Sequence, residues 1–117
     1  MAGPHVEPGH VYVLTHPAHA GFVKIGRTKH LPSRLSTYQV GCPRRAYRYE
    51  HTEATDYPRE VEWFAQQFAG DPIGNSEWFR VTVAEAVVCV RRAGQLVGGP
   101  CLHPGDGAFP LTHYLAP

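Results

Sequence analysis

Two short alternating runs set the frame of this chain: HVYVLT at residues 10–15 and FVKIGR at residues 22–27. Each puts β-branched or aromatic residues at every second position, the period of a strand. The segment between them, HPAHAG (16–21), is turn material. Together they make a β-hairpin with a longer loop. The second run is unusual in one respect. Lys24 stands between Val23 and Ile25, and Gly26 follows at once.

The rest of the chain supplies what the hairpin needs to build a core. In HLPSRLSTYQVG, Leu31, Leu35 and Tyr38 fall at helical spacing, Pro32 suits a first turn and Gly41 a C-terminal stop. RAYRYEH (45–51) reads as a third strand. YPREVEWFAQQFAG (57–70) puts Val61, Phe64, Ala65 and Phe68 on one helical face, between Pro58 and Gly70. SEWFRV (76–81) reads as a short closing strand, with Trp78 and Phe79 plugging the core. TVAEAVVCVRRAG (82–94) opens with Thr82 and Glu85 at capping-box spacing and closes with Arg91, Arg92 and Gly94. The order β-β-α-β-α-β-α predicts an α+β domain, a small and mainly antiparallel sheet flanked by helices. It is expected to occupy residues 10–94, after a loose segment over 1–9 and before a Gly/Pro-rich tail over 95–117.

At 117 residues the chain fits one domain. No apolar run approaches the roughly 18 residues that span a bilayer, and the first ten residues lack the basic and apolar regions of a secretory signal. The expectation is a cytoplasmic protein, or one of the host cytosol if phage-borne. Three cysteines, Cys42, Cys89 and Cys101, lie far apart, which argues against a disulfide framework and a zinc knuckle. His16 and His19 have a spacing seen in metal sites, but no further ligand is near them in sequence.

Charge is balanced overall at +1 but unevenly spread. Lys24, Arg27, Lys29, Arg34, Arg44, Arg45 and Arg48 form a basic block with no acid among them. An acidic block follows, from Glu50 to Glu77, interrupted by Arg59 alone. The basic block is either a footprint for a polyanion such as DNA or one half of an internal pairing with the acidic block. On the first reading Arg44, Arg45 and Arg48 contact the DNA backbone.

The hairpin also suggests a site. Tyr12 shares a face with His10 and Leu14, and Lys24 shares a face with Phe22 and Gly26. If the register joins those faces, Tyr12 and Lys24 are near neighbours. Gly26 would then leave room for a ligand backbone, and Arg34 on the next helix would lean over the sheet. A tyrosine, a lysine and an arginine around a bare glycine make a phosphate site. Cleaving a phosphodiester needs in addition a carboxylate to hold a divalent metal. Glu62, next to Val61, is the first choice and Glu60 the second. Singly, each of these residues has a plainer reading: Tyr12 as a packed aromatic, Lys24 as a solvated edge lysine, and Arg34 and Glu62 as surface charges. The functional reading rests on their occurring together. Glu77 and Asn75 are secondary candidates.

HVY, then KIG, then HLPSRLSTY resembles the GIY-YIG nuclease superfamily. The later GCP, the helix containing VE and the segment GNSEWF are similar to a short bacteriophage and bacterial branch with K-I-G for Y-I-G and a late E-W-F. The resemblance covers roughly residues 9 to 93, and its specificity lies in the combination. It implies metal-dependent hydrolysis of DNA with Mg2+ or Mn2+. Tyr12 would help activate water, Lys24 and Gly26 would stand in the second motif, Arg34 would stabilise developing charge and Glu62 would hold the metal. Gly26, Arg27, Lys29, Arg44, Arg45 and Arg48 would meet nucleic acid. Two positions depart from the pattern. His10 replaces the first glycine, and Gln66 stands where the branch has a histidine. These departures favour the alternative, a weakened or inactive module that binds DNA or a protein partner.

Overall fold

The structure is a computed structural model that describes residues 7–98. The elements run β1 (Gly9–Thr15), β2 (Val23–Thr28), α1 (Leu31–Val40), β3 (Arg48–Thr55), α2 (Pro58–Ala69), β4 (Trp78–Phe79) and α3 (Val83–Val97). This is the predicted α+β order, with a short 3-10 turn at Pro17–His19 added inside the hairpin loop. The four strands form one antiparallel sheet in the order β3-β1-β2-β4.

The alternation in β1 and β2 divides the sheet into two unlike faces. Val11, Val13, Val23 and Ile25 point to one side, where they pack against Val61 and Ala65 of α2 and Ala86, Cys89, Val90 and Ala93 of α3. Phe79 of β4 closes this core, as expected, but Trp78, expected there too, is half-buried on the opposite face across from Lys24. The other face carries Tyr12, Leu14, Lys24 and Gly26. Here α1 lies without a buried residue of its own. Polar contacts from its side chains and backbone hold it in place. The Tyr49 hydroxyl donates to the Leu31 carbonyl at 2.8 Å. Gln39 accepts from the Tyr47 amide and donates to its carbonyl, at 3.1 and 2.8 Å.

Helix starts were legible from local chemistry. The side chain of Thr82 accepts from the Glu85 amide while Glu85 accepts from the Thr82 amide, so the capping box forms. His30 caps α1 by accepting from the Ser33 amide, with Pro32 in the first turn.

Four boundaries differ from expectation. β3 runs over 48–55 rather than 45–51, because residues 45–47 are engaged elsewhere. Arg45 turns in a left-handed conformation at φ 48°, and Gln39 takes both backbone groups of Tyr47. As an edge strand, β3 is polar and alternates weakly, which hid where it ends. β4 shrinks to two residues. Helix α3 continues past Gly94 to Val97 and stops at Gly98, whose φ is 85°. Gly94 is a packing position: a Cβ there would lie 2.8 Å from the Glu53 carboxylate on β3. Gly9, placed in the loose N-terminal segment, begins β1. Residues 1–6 of that segment and 99–117 of the tail, including Cys101, lie outside the described residues. No helix among the described residues is long and apolar enough to cross a membrane.

Candidate functional site

The register of the hairpin decides the geometry. Tyr12 stands directly opposite Gly26, and Lys24 opposite Leu14. The joined faces are as expected, but the role of Gly26 is not. A Cβ on Gly26 would sit 2.5 Å from the Tyr12 hydroxyl oxygen and 2.6 Å from Cζ. The space it leaves is therefore filled by the phenol of Tyr12, and Gly26 is buried. It does not floor an open pocket for a ligand backbone.

Tyr12 is 2% exposed. Its hydroxyl shares a 2.9 Å hydrogen bond with that of Tyr38 on α1. Its ring packs at 5.2 Å from that of Tyr49 on β3. Burial, and then the hydrogen bond to Tyr38, hold the Tyr12 phenol well above the ordinary tyrosine range, with the Arg34 charge opposing them. Tyr12 is thus a neutral phenol at physiological pH. Arg34 is exposed on α1, near enough to influence both Tyr12 and Tyr49, and has no ion pair among the described residues.

Lys24 reaches over the ring of Tyr38, 5.7 Å from its centroid, and pairs with Glu77 at 3.1 Å. Its side chain is 16% exposed. Burial alone would lower its pKa, but hydrogen bonds to Glu77 and Tyr38 outweigh it, so the ammonium is held charged. Glu77, a secondary candidate from sequence, is therefore part of this constellation. Asn75 is exposed in the loop before β4.

Glu62 arrives by way of an open sheet edge. Because β4 is so short, the outer edge of β2 is unpaired beyond Ile25, whose amide donates to the Glu77 carbonyl. The Ile25 carbonyl is satisfied instead by α2, where Gln66 Nε2 donates to it at 2.8 Å. One helical turn earlier, Glu62 comes to the same edge, buried at 6% exposure and bonded to the guanidinium of Arg27. Burial and the nearby Glu77 raise its pKa above the ordinary carboxylate value, outweighing Arg27 and Lys24. Glu60 lies at the start of α2 beside Glu7, Pro58 and Arg59, away from Lys24. The geometry thus separates the two glutamates that sequence left open.

The basic block divides between both of its readings. Lys24, Arg27, Lys29 and Arg48 pair with Glu77, Glu62, Glu7 and Glu50. Arg34, Arg44 and Arg45 are exposed and make no ion pair among the described residues. The last two lie on the loop between α1 and β3, beside Cys42.

Residues 9–94 match the T5orf172 domain. The chain belongs to the T5orf172 domain family. This family is associated with nuclease-like or DNA-binding function. No curated protein and no solved structure gives a significant match. The matched span of the T5orf172 domain contains every candidate residue named above.

Within this T5orf172 domain, sequence reasoning passed over Tyr38 and Tyr49. Tyr38 was visible as the last residue of HLPSRLSTY but was taken for helix packing. Nothing local marked Tyr49, because its place against Tyr12 depends on strand pairing. His10 lies on the Tyr12 face, opposite Thr28, and its Nδ1 is buried without a hydrogen-bond partner among the described residues. His16 and His19 stack on each other at 5.4 Å, and His16 turns to Cys42. Among the described residues, no three His, Cys, Asp or Glu side chains cluster as a metal cage. The Glu62–Glu77 pair suits a different kind of site. Mg2+ or Mn2+ is held by one or two carboxylates, with water and substrate phosphate completing the shell.

Proposed function

We propose that this T5orf172 domain is a metal-dependent DNA endonuclease of GIY-YIG type. The observation that carries the reading is the contact of Tyr12 and Lys24 with the same residue, Tyr38, while Glu62 lies within electrostatic reach of Lys24 and Arg34 within that of Tyr12. These residues come from four different elements. A cationic pair beside a buried, strained carboxylate is what phosphodiester hydrolysis requires.

In this reading Arg34 binds the non-bridging phosphate oxygens, a task its planar fork suits. Lys24 neutralises charge on the same phosphate and is released from Glu77 as it does so. Tyr12, kept neutral, orients the attacking water through the hydroxyl pair it forms with Tyr38. Glu62, with Glu77, would hold Mg2+ or Mn2+, which supplies Lewis-acid stabilisation of the phosphate when bound. Water gives up a proton to solvent as its oxygen adds to phosphorus, the opposite P–O bond breaks, and the leaving oxygen takes a proton from solvent. Lys24 keeps its proton and offsets the charge that develops. Arg44 and Arg45, without an ion pair among the described residues, add backbone contacts to DNA. A protein partner would supply targeting, since one small domain offers little surface for reading sequence. The cytoplasm, or a host cytosol, fits DNA as substrate.

Nicking of supercoiled plasmid by the purified protein with Mg2+ or Mn2+ tests this, beside Arg34→Ala and Glu62→Ala. Both variants are expected to be inactive and folded. Unchanged nicking by both would sink the proposal.

A second reading, a DNA-binding module without turnover, is favoured by one specific feature. Glu62, Lys24 and Gln66 each already hold an internal partner. Salt-dependent DNA binding with no product under any divalent metal would establish it.

A further inference from the structure

A groove of about 360 Å3 opens beside the candidate site, lined by His19, Phe22, Ile73, Ser76 and Trp78. Nothing in the nuclease reading uses it. The sheet register fixes its position. Trp78 is the cross-strand partner of Lys24, so the two side chains leave the sheet on the same face. Phe22, two residues before Lys24, continues that line. The groove therefore begins one side chain away from the lysine assigned to the phosphate.

Its walls are aromatic and its flanks are cationic. The His19 ring meets Trp78 edge-on at 5.2 Å. The Arg80 guanidinium lies over Phe22, 5.4 Å from the ring centre, and Phe22 is its one side-chain partner among the described residues. Ser76 is spent on the backbone: its hydroxyl donates to the Ile73 carbonyl and accepts from the Trp78 amide. This leaves the lining mostly apolar. Ile73 remains 44% exposed at the rim. Lys24 at one end and Arg80 at the other bracket an apolar slot. Glu77, the nearest acid to it, is turned onto Lys24.

We propose that this groove takes an unpaired nucleobase of the bound strand, stacked on Trp78, while the flanking phosphates meet Lys24 and Arg80. A flat ring carrying an anion on either side matches an aromatic slot between two cations. A base inside a duplex is unavailable for such stacking, so the preferred substrate carries single-stranded or frayed DNA at the site of cleavage. This rests on the nuclease reading and narrows its substrate class.

The experiment uses the full chain with Trp63→Phe, which leaves Trp78 as the only tryptophan. Binding of a hairpin oligonucleotide with an unpaired thymidine run is compared with a fully paired duplex of the same length, in EDTA to prevent cutting. The expected result is quenching of Trp78 fluorescence by the unpaired probe alone, with about tenfold tighter binding than the duplex. Trp78→Ala should abolish that preference. Ile73→Asp, on an exposed loop, should abolish it too and keeps the test valid if Trp78→Ala does not fold. Salt-dependent binding of both probes with equal affinity and no fluorescence change would overturn the groove assignment alone. No binding of either probe would overturn it together with the nuclease reading.

Discussion

The phenol of Tyr12 occupies the space that a side chain at Gly26 would need, directly across the β1–β2 ladder. The two residues are therefore one packing unit. The glycine exists so that a buried tyrosine can lie flat on the sheet and meet Tyr38.

It follows that Gly26→Ala acts through Tyr12. The added methyl should cost roughly 1–3 kcal/mol of stability by overpacking. Cleavage should fall with it, as the hydroxyl pair with Tyr38 is displaced. In a Tyr12→Ala background the same substitution should cost less than half as much. Urea unfolding of the four proteins measures the coupling, and additive effects would contradict it.

The surroundings of Glu62 disfavour its charged form. Burial and Glu77 raise its folded-state pKa above the ordinary 4.5. Its contribution to stability is then fully present below about pH 4.5 and is lost as pH rises through the higher folded value. Glutamine at this position does not titrate. The melting temperature of Glu62→Gln minus that of the wild type should therefore increase between pH 4 and pH 7. The same variant should lose cleavage at every pH. A difference in melting temperature that shrinks over this window would refute the assignment of a strained carboxylate.

Arg34 is exposed and makes no ion pair among the described residues, so its replacement should leave the fold alone. Arg34→Ala is expected to lower cleavage on the order of 10²–10³-fold, the usual scale for one stabilising group. Arg34→Lys should recover only a small part, because a point charge cannot make the two-pronged contact. Removal of divalent metal with EDTA should abolish nicking by the wild type, with Mn2+ or Mg2+ restoring it. Nicking rates and circular dichroism check both halves.

Gln66 donates to the Ile25 carbonyl at the open edge of β2. Gln66→Ala should cost about 1–3 kcal/mol by leaving that carbonyl unsatisfied. Once the protein is folded, it should have little effect on cleavage. A loss of cleavage with unchanged stability would instead make Gln66 a participant in the reaction.

Cys42 Sγ lies 3.2 Å from His16 Nε2 and accepts from the Ala46 amide at 3.4 Å. The amide first, then His16, lower its thiol from the ordinary 9.0 to about 7. Alkylation by iodoacetamide should be half-maximal near pH 7 and should move to higher pH in His16→Ala. Mass spectrometry of the labelled peptide separates Cys42 from Cys89, whose thiol is raised by burial. An unshifted profile in His16→Ala would remove the histidine from the account.

What the sequence determined is what local spacing can encode. Alternation at every second residue gave β1 and β2, helical spacing gave α2, and Thr82 with Glu85 gave the start of α3. The tyrosine, lysine and arginine of the site were legible for the same reason, since they sit at fixed offsets within the hairpin and the helix that follows it. Tertiary structure decided the rest. Glu62 reaches the edge of β2 because α2 crosses the stretch of β2 that a two-residue β4 leaves bare. Lys24 found Glu77, and Tyr12 found Tyr49, through strand partners brought together by register. Gly26 and Gly94 look alike in sequence to any turn glycine, yet one makes room for a phenol and the other for Glu53. Periodicity fixes which face a residue points to. Only packing between distant segments fixes what it meets there.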